Sequence, residues 1–157
     1  MATILLLSGP NLNLLGEREP EHYGTTTLDQ IVALATETAA KFGHDVEHLQ
    51  SNYEGALVDA IHSARGRCDA IICNAGAFSH YAYALTDALA MFDGVKIEVH
   101  LSNPAAREAW RHHSVIAPVV HGSITGLRAD GYRFAVEAVA SLLSERGPGG
   151  QGSEERA

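Results

Sequence analysis

The chain predicts an α/β domain built on a doubly wound parallel sheet. Short apolar runs rich in Ile, Leu and Val alternate with stretches of helical periodicity along its 157 residues. Two of the runs, Ile4-Leu5-Leu6-Leu7 and Ile71-Ile72, are continuous rather than alternating, as expected of strands covered on both faces. The length suits one domain that buries roughly two thirds of its unfolded surface.

The elements follow in order. Strands are expected at Thr3–Leu7, Val46–Leu49, Ala70–Cys73, Val95–His100 and Val115–Val120. Pro118 puts the last of these at a sheet edge, because proline cannot donate to a ladder. Thr27-Leu28-Asp29-Gln30 reads as a capping box, followed by Leu28, Ile31, Val32, Ala35 and Ala39 on one face, with Gly43 as the stop. Ser51 and Glu54 repeat the capping pattern before Leu57, Val58 and Ile61, and Ser79 is expected to cap a third helix through about Phe92. Asn103-Pro104 pairs an N-cap with a first-turn proline and predicts a fourth helix. Tyr132 to Leu143 is the fifth, with Phe134, Ala135, Ala138, Val139 and Leu142 as its apolar stripe. Residues 1–146 are therefore read as a single domain, and the Gly-rich, charged segment 147–157 as a disordered tail. Right-handed crossovers turn this alternation into a flavodoxin-like, three-layered sheet of five parallel strands in the order 2-1-3-4-5.

The formal net charge of −8 argues against nucleic acid and anionic membrane surfaces as partners, since both demand a positive face. No apolar run approaches the ~20 residues of a membrane span. Met1–Ser8 lacks the basic flank and cleavage site of a signal peptide. Cys68 and Cys73 fit neither a redox pair nor a zinc site and read as reduced thiols, so a cytoplasmic location is expected. The nine histidines form neither HExxH nor a Cys-plus-His pattern, and no functional metal is expected.

Polar residues follow the strands, and in an open parallel sheet those positions converge on one edge where ligands bind. After the first strand comes Gly9-Pro10-Asn11, with a single glycine and therefore no dinucleotide fingerprint or phosphate loop. Asn11 can hold a water or steady an oxyanion. The loop Gly16–Gly24 is long enough to act as a lid and carries Arg18 and Tyr23. A cation beside a phenol favours phenolate, which suits a base. Asn74 lies immediately past the third strand and His80 at the start of the next helix, both able to bind substrate hydroxyls. Glu98 and His100 are two apart on the fourth strand and share a face. The carboxylate would orient the imidazole and favour its protonated form, as a general acid requires. Arg107 and Arg111, four apart, are expected as neighbours on the helix after Pro104, where an anion or Glu108 would relieve their repulsion. Backbone N–H groups at that helix start are expected to hold a carboxylate.

Taken together the residues resemble type II 3-dehydroquinase, also called type II 3-dehydroquinate dehydratase. The resemblance rests on Gly9-Pro10-Asn11-Leu12-Asn13-Leu14-Leu15-Gly16, Arg18, Tyr23-Gly24, Ser51-Asn52, Glu54-Gly55, Asn74, Gly76, His80, Asp87, Glu98-Val99-His100-Leu101-Ser102-Asn103, Arg107-Glu108 and Arg111-His112-His113-Ser114. It spans about residues 3 to 143 in order. It implies a hydro-lyase that dehydrates 3-dehydroquinate to 3-dehydroshikimate by anti elimination through an enolate, in the shikimate or quinate pathway, with no cofactor. Tyr23 would be the base, assisted by Arg18. Asn11 would stabilise the enolate through a held water, and His100, assisted by Glu98, would protonate the leaving hydroxyl. Asn74, His80, Leu101, Ser102 and Arg111 would bind substrate, with Arg107 supporting the tyrosine or lid. The resemblance also implies a homo-dodecamer, four trimers, in which Asp87 reaches a neighbouring subunit's site. The sequence departs from the family at Pro104-Ala105-Ala106, Trp110, Tyr53 and Leu127-Arg128-Ala129-Asp130, positions that bear on packing and assembly. A Schiff-base route has only Lys41 and Lys96 available, neither in a suggestive place. The competing readings are a non-catalytic flavodoxin-like module that binds hydroxylated carboxylates, and a nucleotide- or flavin-binding protein.

Overall fold

A computed structural model describes residues 1–147. Five parallel strands form one sheet, β1 (Thr3–Ser8), β2 (Asp45–Gln50), β3 (Ala70–Asn74), β4 (Val95–His100) and β5 (Gly122–Thr125), in the order β2-β1-β3-β4-β5. The helices are α1 (Pro20–Tyr23), α2 (Leu28–Ala40), α3 (Glu54–Ala64), α4 (Tyr83–Ala90) and α5 (Asp130–Arg146). The expected strand order is the observed one. The tail expected from residue 147 onward lies outside the described residues beyond Gly147.

The continuous apolar run of β1 divides between two cores because successive side chains point to opposite faces. Ile4 and Leu6 pack with Ile31 and Ala35 of α2 and with Tyr132, Val136 and Val139 of α5. Leu5 and Leu7 pack with Leu57 and Ile61 of α3 and with Leu85 and Leu89 of α4. Each such side chain, if fully buried, contributes on the order of 2 kcal/mol, so β1 is tied to both helical layers and its C-terminal end is held rigidly. That end carries the turn into Asn11.

Local signals explain most of the elements. Thr27 Oγ1 accepts from the Gln30 N–H and the Gln30 side chain accepts from the Thr27 N–H, the reciprocal capping box that starts α2. Elsewhere the structure corrects the expectations. Val115–Val120 is no strand. Val115 and Ile116 are buried against the α3/α4 layer, Ala117–Val119 is a 3-10 turn around Pro118, and the edge strand is the nearly polar Gly122–Thr125. Pro118, which cannot join a ladder, helps exclude the segment from the sheet. Ser51 does not cap α3. Its Oγ accepts from the Tyr53 N–H and closes a turn, and Tyr53 holds the cap position without a side-chain bond. Ser79 lies in a 3-10 turn over Gly76–His80, where its hydroxyl donates to the Gly76 carbonyl, and α4 begins only at Tyr83.

Asn103-Pro104 starts only a 3-10 turn, Pro104–Ala106, followed by a second, Ala109–Arg111. Arg107 between them has extended backbone (φ −113°, ψ −161°), so Arg107 and Arg111 do not share a helical face. The Asn103 side chain accepts from the Ala105 N–H, which occupies a donor expected to face a carboxylate.

Candidate active site

The C-terminal ends of β1, β3 and β4 and the segment before α2 enclose one cleft of about 580 Å³, its open mouth included. Asn11, Arg18, Tyr23, Asn74, His80, His100, Leu101, Ser102, Arg107 and Arg111 all line it. Three of these are cations in a chain of net charge −8, which makes the cleft a local attractor for an anion.

Close backbone packing forms the floor. Gly9 N–H donates to the Asn74 carbonyl at 2.8 Å. A Cβ at Gly9 would lie 2.4 Å from the Ala75 carbonyl oxygen, so only glycine lets the β1 and β3 loops meet. Asn11 takes the left-handed conformation (φ 66°, ψ −2°), which asparagine tolerates better than most residues. Its N–H donates to Asn52 Oδ1 at 3.0 Å, and Gln50 Nε2 bridges Asn52 Oδ1 and the Gly9 carbonyl.

Tyr23 is buried at the end of the four-residue helix α1. Its phenol oxygen accepts from Arg18 Nη2 at 3.1 Å and from Arg107 Nη1 at 2.6 Å, and both guanidiniums lie over its ring face. Arg107 also reaches Ser102 Oγ and Glu19 Oε2. The conjunction of Arg18 with Tyr23 was legible in the sequence, whereas the role of Glu19 was not.

On β4, His100 Nε2 lies 2.6 Å from Glu98 Oε2. A carboxylate only accepts, so Nε2 donates the proton and Nδ1 is the nitrogen left for the cleft. Burial would raise the Glu98 carboxyl, but hydrogen bonds from His100, Ser114 and Ser123 outweigh it and hold the group below the usual carboxylate range. Ser114 and Ser123 were missed as carboxylate partners. They belong to a loop and to the edge strand β5, and nothing in their local sequence marks them.

His80 stacks with His100, ring centroids 6.5 Å apart, and its Nδ1 donates to the His113 carbonyl. Burial lowers its basicity, leaving a neutral ring with Nε2 as an acceptor. Arg111 is held by Glu108 and lies over the Trp110 ring, whose edge meets His80. Asn74 is 3% exposed and spends its amide on two bonds, Oδ1 accepting from Gly76 N–H and Nδ2 donating to Tyr132 Oη. Asp87, exposed on α4, does not line the cleft of its own chain.

Among the described residues one trio, Glu19, Glu21 and His22, brings three possible metal-ligand atoms within 4.8 Å. It is largely exposed, and Glu19 already serves Arg107. No helix among the described residues is long and apolar enough to cross a membrane.

Comparison with known proteins gives the same picture throughout. A family model described as Dehydroquinase class II matches residues 2–140. A 3-dehydroquinate dehydratase of Anoxybacillus flavithermus is 52% identical over 147 residues, covering 94% of this chain and 99% of that protein. A catabolic 3-dehydroquinase of Aspergillus clavatus is 52% identical over 144 residues, 92% of this chain and 96% of that protein. The solved structure of a type II dehydroquinase from Propionibacterium acnes superposes with a TM-score of 0.86 at 44% identity, covering 90% of this chain and 97% of that one.

Proposed function

The chain belongs to the class II dehydroquinase family, and from that premise we propose that it dehydrates 3-dehydroquinate to 3-dehydroshikimate by anti elimination. The observation that carries the reading is a phenol flanked by two guanidiniums in the same cleft as a carboxylate-bound imidazole.

Two guanidiniums hold Tyr23 Oη in the cleft, where it acts as the base and removes the proton alpha to the ketone. The released electron pair forms the enolate, whose oxygen is stabilised by a water held on Asn11. Collapse of the enolate restores the ketone, forms the carbon–carbon double bond and breaks the bond to the hydroxyl. His100 Nδ1 delivers the proton that makes the hydroxyl leave as water, and the Glu98 carboxylate stabilises the imidazolium beforehand. Proton return from Tyr23 to His100 through solvent closes the cycle. Asn74, His80, the Leu101–Ser102 segment and Arg111 bind the substrate hydroxyls and carboxylate, and Arg107 holds the catalytic phenol and lid together. These steps need no cofactor.

We also read the enzyme as a cytoplasmic homo-dodecamer of four trimers. The family membership and the exposed Asp87, which does not line its own cleft, support a neighbour's use of that carboxylate.

The test is the ultraviolet absorbance of the conjugated enone formed when purified protein meets 3-dehydroquinate. Absorbance that rises despite chelator and borohydride supports cofactor-free elimination without an imine. Binding of hydroxylated carboxylates without turnover would leave only a binding module.

A further inference from the structure

Tyr132 lies on α5, is fully buried, and does not line the cleft. Its phenol oxygen nevertheless accepts from Asn74 Nδ2 at 2.9 Å, across 58 positions of sequence. Burial raises the phenol far above its ordinary range, so it stays a neutral hydroxyl.

The orientation of the Asn74 amide is fixed by what surrounds it. Gly76 N–H can only donate, so the amide atom 3.1 Å away must be the oxygen. The nitrogen then faces Tyr132. A flipped amide would set NH₂ against the Gly76 N–H and carry the oxygen to Tyr132, losing the bond from Gly76. With two of its groups committed, Asn74 keeps one N–H and one oxygen lone pair for a ligand.

Resting on the function proposed above, we propose that Tyr132 is a positioning residue for substrate binding: through its hydroxyl it locks the Asn74 amide so that its free N–H and lone pair meet the substrate in one fixed arrangement. It touches no reacting atom. Its effect therefore belongs to binding, and it passes entirely through Asn74.

The experiment compares wild type, Tyr132→Phe, Asn74→Ala and the double variant. Tyr132→Phe keeps the ring and removes only the hydroxyl. The expected result is a rise of about tenfold in KM for 3-dehydroquinate, roughly one buried hydrogen bond, with a smaller change in kcat. In the Asn74→Ala background the same change should have no further effect on KM. Effects that multiply in the double variant, or an unchanged KM in Tyr132→Phe, would overturn the assignment. A second readout does not depend on turnover or on Tyr132→Phe folding. The Asn74 side-chain amide of the ¹⁵N-labelled wild type, identified by its disappearance in Asn74→Ala, should show hindered rotation and slow hydrogen exchange. Free rotation and fast exchange would overturn the assignment, whereas a wild type that binds quinate but yields no enone would overturn only the proposed function.

Discussion

Arg107 Nη1 donates to Tyr23 Oη at 2.6 Å, joining two residues 84 positions apart. The bond ties the segment before α2 to the β4 end of the sheet, and the same guanidinium holds Ser102 and Glu19. One planar cation thus fixes the phenol, the strand end and the start of α1. Arg107→Lys keeps the charge and loses the fork, because an ammonium cannot span these partners. Steady-state assay should show kcat reduced about 10- to 100-fold through misplacement of Tyr23, with the far-ultraviolet circular dichroism of wild type.

Tyr23→Phe removes the proposed base and little else, since the ring still packs in the core around Leu12, Leu15 and Leu28. A positioned base contributes typically 10²–10⁴-fold, and kcat should fall within that range. A variant that keeps wild-type turnover would eliminate Tyr23 from the chemistry.

Glu98→Gln tests the orientation of His100 and has a pH signature. The folded Glu98 carboxyl titrates below its unfolded value of ~4.3. The unfolded chain therefore binds this proton first as pH falls. The stabilisation is full above the unfolded value and is lost as pH drops through the folded one. Urea unfolding from pH 7 to 3 should show a shallower acid loss in Glu98→Gln than in wild type. At pH 7 the variant should also turn over about 10²-fold more slowly, because a neutral amide no longer stabilises the imidazolium.

Much of this was legible from spacing alone, and the exceptions have physical causes. Glu98 and His100 share a face because a strand repeats every two residues, and the pair is found at 2.6 Å. The capping box at Thr27–Gln30 is a local motif and was read directly. By contrast Val115-Ile116 has the composition of a strand, but its burial comes from a loop packed over α3 and α4. The true edge strand, Gly122–Thr125, has one face exposed and little apolar content to betray it. The bonds from Ser114 and Ser123 to Glu98, and from Tyr132 to Asn74, join distant segments whose meeting only the tertiary fold determines.

Asn52 holds the turn that presents Asn11, accepting from the Asn11 N–H and from Gln50. Asn52→Ala would leave the left-handed Asn11 with one restraint fewer. A net hydrogen bond is worth about 1 kcal/mol, so kcat should fall about fivefold with KM little changed. Full recovery of wild-type kcat in this variant would mean that the turn holds itself.

Gly9 offers the sharpest test of the floor. A methyl there would sit 2.4 Å from the Ala75 carbonyl oxygen and 2.6 Å from its carbon, both backbone atoms of a loop already tied by the Gly9-to-Asn74 hydrogen bond. No rotamer change relieves such a contact, so the β1 and β3 loops must separate. Overpacking of this kind costs about 1–3 kcal/mol, and separation also strains the Gly9–Asn74 bond. Gly9→Ala should lower the thermal midpoint by several degrees. It should also weaken turnover more than the stability loss alone explains, because Asn11 and Asn74 move apart with their loops. Calorimetry and the enone assay on the same preparation separate the two effects, and a Gly9→Ala protein with unchanged midpoint and activity would refute the close approach.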